Sequence, residues 1–291
     1  MTQKSAPWHS RNHIEVTAIK IVSFNVNSVR VRLHQLEAVI DKYDPDFIGL
    51  QETKVPDAEF PEAEINALGY EVAFHGQKTH YGVALLHKQP ALEIVKGYAS
   101  DTDDSQKRFI SGTFQTGDGG KLTVINGYFP QGESRDHPMK FPAKQKFYAD
   151  LMTHLDKHHQ PDELLFVIGD MNIAPVDDDI GIGESNMKRW LKDGKTSFLP
   201  EERAWIEKLV DWGLTDTYRH HYPDGTDLYS WFDYRSRGFE REPRRGLRID
   251  LIMASRAATA LSIDSGIDYD IRGMEKPSDH CPIWTEFDIK L

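Results

Sequence analysis

The segment 163-ELLFVIGDMN-172 decides the fold of this chain. Its apolar run predicts a buried strand, and this strand leads directly into the polar pair Asp170 and Asn172. In α/β domains, ligands bind beyond the ends of such strands, where loops converge. The segment therefore predicts a buried sheet with a functional site at one end.

The same strand signal recurs on both sides of this segment. Apolar runs predict further strands at residues 18–25, 46–52, 70–74, 81–87, 108–115, 121–128, 228–234, 247–254 and 280–287. Helical spacing predicts helices at residues 29–43, 139–157, 185–193 and 201–212. We expect one α/β domain with two sheets over residues 18–291, preceded by a polar extension over residues 1–17.

The composition restricts the class of protein. The 291-residue chain has a net charge of −11, which taken alone argues against nucleic-acid binding, because phosphate contacts come from Lys and Arg. Residues 235–248, however, hold six arginines and two glutamates, which leaves open either a local basic face or an ordinary solvated loop. The lone Cys281 excludes an internal disulfide framework and favours a reducing compartment, so we expect a cytoplasmic protein.

Polar side chains lie at or beside the ends of several predicted strands. They are Asn25, Asn27, Glu52, Asp170, Asn172, Asp250, Asp279 and His280. Oxygen ligands of this kind suit magnesium or manganese, and the scarcity of His and Cys argues against zinc. Such a cation polarises a phosphoryl oxygen and stabilises a leaving oxyanion, so the set predicts metal-dependent chemistry on a phosphate ester.

Two pairs of residues within this set have predicted roles. Asp170 and Asn172 are two residues apart, so in an extended segment they would share a face and hold a water. Asp250 beside His280 would orient the imidazole and favour its cationic form. The chain has no nucleophile elbow and no P-loop motif, so neither a seryl intermediate nor nucleoside triphosphate chemistry is expected.

Each of these residues also has a simpler interpretation. A single Asp or Asn at a strand end is usually a turn residue or a helix cap. Asp250 could pair with Arg248, and His280 could be an ordinary interior histidine. Trp231 and Phe232 could belong to the core. The functional interpretation depends on the whole set.

Seven segments carry a family resemblance: SFNVNSVR, LQETK, HYGVALL, NGYFPQG, GDMNIAP, LRIDLIMAS and KPSDHCPIW. In this order, spanning residues 19 to 287, they resemble the exonuclease III branch of the endonuclease/exonuclease/phosphatase superfamily. Five more are similar to bacterial members of the exonuclease III and AP endonuclease family: GESRDHPMKFPAK, DIGIGE, KRWL, SFLPEER and SWFDYRS. The resemblance implies a four-layer α/β sandwich, in which two mixed sheets pack face to face with helices outside.

The resemblance also implies a DNA repair nuclease that uses magnesium, with manganese as a plausible substitute. Such an enzyme removes nucleotides from 3′ ends of double-stranded DNA, cuts 5′ to abasic sites and clears 3′ phosphates. The implied metal residues are Glu52, Asn25, Asp279 and Asn27, and the implied catalytic residues are Asp170, His280, Asp250, Tyr128 and Asn172. Asp170 would orient or deprotonate the attacking water, and His280, oriented by Asp250, would donate a hydrogen bond to the scissile phosphate.

The remaining implied residues contact the DNA. Tyr128 would lie against the scissile phosphate, as a phenolate or as a hydrogen-bond donor, with Gln131 helping there. Arg244 and Arg245 lie in a loop that is longer and richer in arginine than is typical of the family, and we expect them to bind the duplex.

An apolar pocket for a baseless sugar is also implied. It would be formed by Trp231 and Leu247, together with Phe232 or Ile249. A sugar without a base is extruded from a duplex at lower cost than a normal nucleotide, which gives such a pocket its selectivity.

Two alternatives remain at this point. One is a phosphatase or diesterase of the same superfamily that acts on lipid or inositol phosphates. The other is a catalytically inactive relative that binds nucleic acid, against which the presence of Glu52, Asp170 and His280 argues. We expect a monomer, because no oligomer interface is evident in the sequence.

Overall fold

Twelve strands and eight α-helices occur in residues 18–225 and 227–291, which are the residues that the computed structural model describes. The predicted extension over residues 1–17 lies outside them. The strands are β1 (Ile19–Asn25), β2 (Phe47–Gln51), β3 (Glu71–His75), β4 (Val83–His87), β5 (Glu93–Lys96), β6 (Phe109–Gln115), β7 (Lys121–Tyr128), β8 (Leu164–Asp170), β9 (Leu214–Asp216), β10 (Asp250–Ser255), β11 (Ser262–Ile267) and β12 (Ile283–Phe287). The helices are α1 (Leu33–Tyr43), α2 (Glu62–Ala67), α3 (Lys140–His158), α4 (Glu184–Lys192), α5 (Pro200–Trp212), α6 (Thr217–His221), α7 (Arg256–Thr259) and α8 (Tyr269–Arg272).

The strands form two six-stranded mixed sheets, which confirms the predicted sandwich. The first sheet has the order β11-β12-β1-β2-β4-β3, and the second has the order β5-β6-β7-β8-β10-β9. Each contains one parallel pair, β1 with β2 and β7 with β8, among antiparallel neighbours. A parallel pair needs a crossover connection, and helices α1 and α3 supply the two crossovers.

Alternation along the strands creates the layers. On β1, Ile19 and Ile21 face the core between the two sheets, whereas Val22 and Phe24 face the layer that contains α1. The outer face of the second sheet packs against α3 and α5 in the same way. The inner rows are apolar for most of their length and become polar towards one end of the sandwich.

A buried amide connects the sheets at the beginning of this polar end. Nδ2 of Asn126, on β7, donates to the carbonyl oxygens of Leu50 (2.9 Å) and Ala84 (2.8 Å) in the first sheet. Its Oδ1 accepts a hydrogen bond from Nε2 of Gln51 at 2.7 Å. Opposite this amide, a Cβ on Gly49 would lie only 2.9 Å from the Asn126 side chain, so the close approach of the sheets requires glycine there.

The predicted strand over residues 228–234 is wrong. Only Trp231 pairs, through isolated bridges to Leu247 and His280, because neighbouring residues of this segment bond to different partners and no ladder extends. The strand predicted at 247–254 begins at Asp250, and the helix predicted at 29–43 is divided into a 3₁₀ turn (Val29–Val31) and α1. Strands β5, β9 and β11 were not predicted, because they are short or lack a continuous apolar run. No helix among the described residues has the length and apolarity needed to cross a membrane.

Replacing Asn126 by Ala tests the connection between the sheets. We expect the free energy of unfolding to fall by about 3 kcal/mol, because three buried hydrogen bonds are lost, two to carbonyl oxygens and one from Gln51. Urea denaturation measures the change. The matched variant Asn66→Ala, at an exposed helical position, should change it by less than about 0.5 kcal/mol. Equal effects in the two variants would show that Asn126 has no connecting role.

Candidate active site

The candidate site lies where the inner rows of both sheets end. On β1, Asn25 continues the row of Ile19 and Ile21. In the second sheet, Asp170 and Asp250 face each other as partners in the β8–β10 register. All three polar residues are buried, so the sheets bring together groups that are far apart in the sequence.

The local sequence before Asp170 is explained by a close approach of two strands. Gly169 has a φ of 145°, and a Cβ there would lie 1.9 Å from the carbonyl oxygen of Gly127 on β7, so only glycine fits. Oδ1 of Asp170 accepts a hydrogen bond from the backbone N–H of Asn172 at 3.1 Å. This predicted pair is therefore joined by a turn rather than by a shared strand face, because β8 ends at Asp170.

Asn25 holds two carboxylates together across the sandwich. Its Nδ2 donates to Oε1 of Glu52 and to Oδ2 of Asp170, each at 2.9 Å. Its Oδ1 accepts from the backbone N–H of Asn27 at 3.0 Å. The amide nitrogen of Asn25 therefore faces both carboxylates and holds them near each other, whereas its oxygen is turned to the backbone of Asn27.

Glu52 is kept anionic. Burial alone would raise its pKa, but Lys54, whose Nζ lies 2.9 Å from Oε2, and the Asn25 amide hold the pKa below its ordinary value. Lys54 also donates to Oδ1 of Asn27. Glu52, Lys54 and Asn27 all have a positive φ, a backbone strain that commonly accompanies functional sites. Lys54 received no role from the sequence, although it stands in the motif LQETK.

His280 and Asp250 form a buried pair, as predicted. Nδ1 of His280 lies 3.0 and 2.9 Å from the two carboxylate oxygens of Asp250. Burial disfavours the imidazolium, but the charges of Asp250 and Asp170 outweigh it and raise the pKa of His280 to about 10. Arg248 instead pairs with Asp179 and Asp216, which removes the alternative partner for Asp250.

Asp170 is the most perturbed carboxyl group of the site. Its Oδ2 lies 3.8 Å from Nε2 of His280. Burial raises the pKa of Asp170 far above the ordinary value, and the charges of Asp250 and Glu52 act in the same direction. Ligand atoms of Glu52, Asp170 and His280 all lie within 4.8 Å of one another, a separation that suits one metal ion.

Tyr128 joins the site through a stack of side chains. The guanidinium of Arg108 lies 4.4 Å from the centre of the Tyr128 ring and 4.2 Å from that of Tyr81. Burial, together with the charge of Glu52, raises the pKa of the Tyr128 hydroxyl well above its usual range. A raised pKa favours the neutral hydroxyl, the form that can donate a hydrogen bond.

Both carboxylate oxygens of Asp279 accept hydrogen bonds from residues of the site. Its Oδ1 accepts from Nδ2 of Asn27 at 2.8 Å, and its Oδ2 accepts from Nε1 of Trp231 at 3.1 Å. Asp279 thus connects the site to the indole that was predicted to contact DNA.

The structure divides the residues of the predicted sugar pocket between two clusters. Leu247 and Ile249 are buried in one cluster, with Trp231 partly buried and packed against it. Phe232 is fully buried in another cluster with Tyr229 and Cys281, so of the two alternatives it is Ile249 that lies in the cluster of Leu247. Alternate residues of this segment point to opposite sides, which places Phe232 away from Trp231.

The two arginines of the long loop have different surroundings. The guanidinium of Arg244 lies 4.9 Å from the ring centres of both Phe239 and Tyr269. Arg245 instead lines a cavity of about 260 Å³ beside Trp231. The other residues that line this cavity include Arg241, Arg189, Trp190 and Asn186.

Gln131 and Asn172 are held from behind by a buried lysine. Nζ of Lys144 donates to the carbonyl oxygens of Asn172 (2.9 Å) and Gln131 (3.3 Å) and pairs with Glu202. The Gln131 side chain is turned to Thr196 and to the backbone of residue 133. Lys144 and Glu202 have no predicted role, although they lie in the segments FPAK and SFLPEER.

A two-sheet sandwich with carboxylates, amides and an imidazole at the strand ends is the arrangement of metal-dependent phosphoesterases. The endonuclease/exonuclease/phosphatase family model matches residues 22–280, and the chain belongs to this family. It is 57% identical over 269 residues to exodeoxyribonuclease III of Haemophilus influenzae, covering 92% of this chain and 100% of that protein.

Solved structures agree with this assignment. The Neisseria 3′ phosphatase NExo, bound to a product DNA hairpin, has a TM-score of 0.83 and 36% identity, covering 93% of this chain and 99% of that one. An AP endonuclease from Archaeoglobus fulgidus has a TM-score of 0.83 and 33% identity, with the same coverage.

Asp250→Asn tests the electrostatics of the buried pair. We expect the pKa of His280 to fall from about 10 by at least about two units, because burial then acts with less compensation. Nitrogen-detected NMR of the imidazole ring, recorded in EDTA across the pH range, measures it, and His280→Gln identifies the signal. An unchanged pKa in Asp250→Asn would contradict the assigned cause.

Proposed function

We propose that this chain is a magnesium-dependent DNA repair nuclease with 3′→5′ exonuclease, abasic-site endonuclease and 3′-phosphatase activities. The observation that carries the proposal is the convergence of Glu52, Asp170 and His280 within 4.8 Å, in a chain 57% identical to an exodeoxyribonuclease III. The relatives are an exonuclease, a 3′ phosphatase and an AP endonuclease, and these activities support the same substrate class.

Magnesium fits the donor set of this site. Glu52 is anionic and presents oxygen, whereas His280 is committed to Asp250 as an imidazolium and is a poor ligand. We therefore assign the ligand role to Glu52 with Asp170 beside it. When bound, the ion supplies positive charge that favours the ionised form of Asp170 and stabilises negative charge on the phosphate.

The other implied metal residues have positioning roles in this proposal. Asn25 donates to both Glu52 and Asp170 and so fixes the distance between them. Asn27 and Asp279 bond to each other, and both oxygens of Asp279 already accept hydrogen bonds. These contacts favour a role in which Asn27 and Asp279 hold Glu52 and Trp231 in place over one in which they bind the metal ion directly.

The chemistry that we propose is one in-line attack by water on the phosphodiester. Asp170, in the ionised form that the bound cation favours, accepts the proton of the attacking water, and Asn172 lies beside it. The imidazolium of His280 donates from Nε2 to a phosphate oxygen, and Tyr128 donates from its hydroxyl. The P–O bond to the 3′ oxygen breaks, and this oxygen leaves with the upstream strand.

Specificity for an abasic site is assigned to Trp231. Its indole is partly buried against Leu247 and Ile249, and its Nε1 donates to Asp279 beside the carboxylates. An apolar surface held rigidly next to the reacting phosphate accepts a sugar and has no group that reads a base.

We propose that the enzyme acts as a monomer in the cytoplasm of a bacterial cell. The site is built from residues of one chain, which supports action as a monomer by residues 18–291. DNA repair in a bacterial cell places the enzyme in the cytoplasm. The basic cavity beside Trp231 is the surface that we assign to the duplex.

A duplex oligonucleotide with one abasic-site analogue tests the proposed function. We expect a nick immediately 5′ to the lesion with magnesium, none with EDTA, and much slower cutting of an intact control strand. Gel analysis of the end-labelled strand measures the rates. End-trimming alone would retain the exonuclease and remove the role of Trp231; no cutting with magnesium or manganese would refute the proposal.

Asp170→Asn separates chemistry from binding in the same assay. We expect the nicking rate to fall by about 10³-fold, with duplex affinity within about threefold of the wild type, because the amide keeps the shape and cannot accept the proton. The control Asp162→Asn, at an exposed ion pair with Arg256, should cut normally. Near-normal turnover by Asp170→Asn would exclude it as the base.

Arg245→Gln and Arg244→Gln form a matched pair for duplex binding. We expect Arg245→Gln to weaken binding and to reduce the slope of log affinity against log salt by about 0.9, because Arg245 lines the open basic cavity. Arg244→Gln should change the slope less, since its guanidinium packs on Phe239 and Tyr269. Fluorescence anisotropy across salt concentrations measures both, and equal slopes in the wild type and Arg245→Gln would contradict the assignment.

A further inference from the structure

Three histidines lie together at the end of α3, outside the candidate active site. His154 and His158 are four residues apart on the helix, and their ring centres are 4.9 Å apart. His159 follows at the helix end, with its ring centre 5.4 Å from that of His154. Two imidazoles at this helical spacing project from one face, as in metal-binding helices.

The histidines line a cleft of about 870 Å³, together with Tyr98. The ring of His154 packs edge-on against Phe109 (5.1 Å) and Tyr98 (6.2 Å), which holds the imidazole at the cleft wall. Tyr98 is 8% exposed, and its buried hydroxyl has no hydrogen-bond partner among the described residues. Buried hydroxyls are nearly always paired, so an unpaired one beside imidazoles points to a ligand.

The protonation states favour cation binding. Burial, together with His159 and His158, lowers the pKa of His154 to about 4, and burial also lowers the pKa of His159. A lowered pKa favours the uncharged imidazole, which is the form that binds a metal ion. The carboxylate of Glu163 lies 3.4 Å from Nδ1 of His159 and adds negative charge.

We propose that His154, His158 and His159, with Glu163, bind one divalent transition-metal ion of the zinc class. Imidazole nitrogens with one carboxylate suit zinc, nickel or cobalt, whereas the oxygen-rich site at Glu52 suits magnesium. The Tyr98 hydroxyl would donate to a carboxylate or accept from a water held by the ion. The chain would then bind two kinds of ion at two separate places.

Binding requires a rearrangement of side chains. Among the described residues, only Glu52, Asp170 and His280 already bring three ligand atoms within 4.8 Å. His158 is exposed, so rotation of its side chain towards His154 closes the site at low cost. The ion would lie between the end of α3 and the loop after β5 that carries Tyr98.

Calorimetric titration of Zn²⁺ into the whole chain tests this proposal, with excess Mg²⁺ present throughout. We expect one Zn²⁺ per chain, and at least about a tenfold loss of affinity in His158→Gln and in His154→Gln. The control is His220→Gln/His221→Gln, whose rings are 5.1 Å apart but adjacent in sequence, so they do not share a helix face. The control should bind as the wild type does.

Several outcomes would overturn the site. They are no Zn²⁺ binding by the wild type, unchanged affinity in His158→Gln, or loss of binding in the control. Because His158 is exposed, its variant remains informative even where His154→Gln fails to fold. Mg²⁺-dependent nicking by His158→Gln should equal that of the wild type, so failure of this proposal and failure of the proposed function are distinguishable.

Discussion

One amide, Asn25, connects the two halves of the site. Its single Nδ2 donates at 2.9 Å to Glu52, which follows a strand of the first sheet, and to Asp170, which ends a strand of the second. Two carboxylates in a buried position repel each other, and a shared donor offsets part of that repulsion. The distance between the sheets therefore determines whether the two acids act on one ligand, and the Asn126 bridge below them fixes that distance.

The buried charges of the site are balanced by a small number of cations with different roles. Lys54 keeps Glu52 ionised, whereas His280, paired with Asp250, is held as a cation facing Asp170. Asp170 is left with a high pKa because burial and its neighbours disfavour its charge. Unequal environments thus separate one acid suited to hold a cation from one suited to accept a proton. The net charge of −11 says nothing about this local balance.

Much of the fold was predictable, because it depends on local pattern. Apolar runs predict most of the strands, and the polar residues at the ends of these strands predict where the candidate site lies. The failures have physical causes. Residues 228–234 look like a strand in sequence, yet each residue bonds to a different segment. Phe232 next to Trp231 points to the opposite side and enters another core cluster. Neither fact is contained in the order of residue types.

The sequence by itself determined which strands end in polar residues, the family to which the chain belongs and the chemical types of the possible metal ligands. These properties depend only on residue type and spacing. Only the tertiary structure decided that Nδ2 of Asn25 faces Glu52 and Asp170, that Asp279 bonds to Asn27 and Trp231, and that Lys54, Arg108 and Lys144 lie around these residues. It also decided that Arg241 and Arg245 of the long loop face the cavity and that Arg244 does not. These are matters of side-chain direction between segments distant in sequence, and packing fixes them only when both sheets are in place.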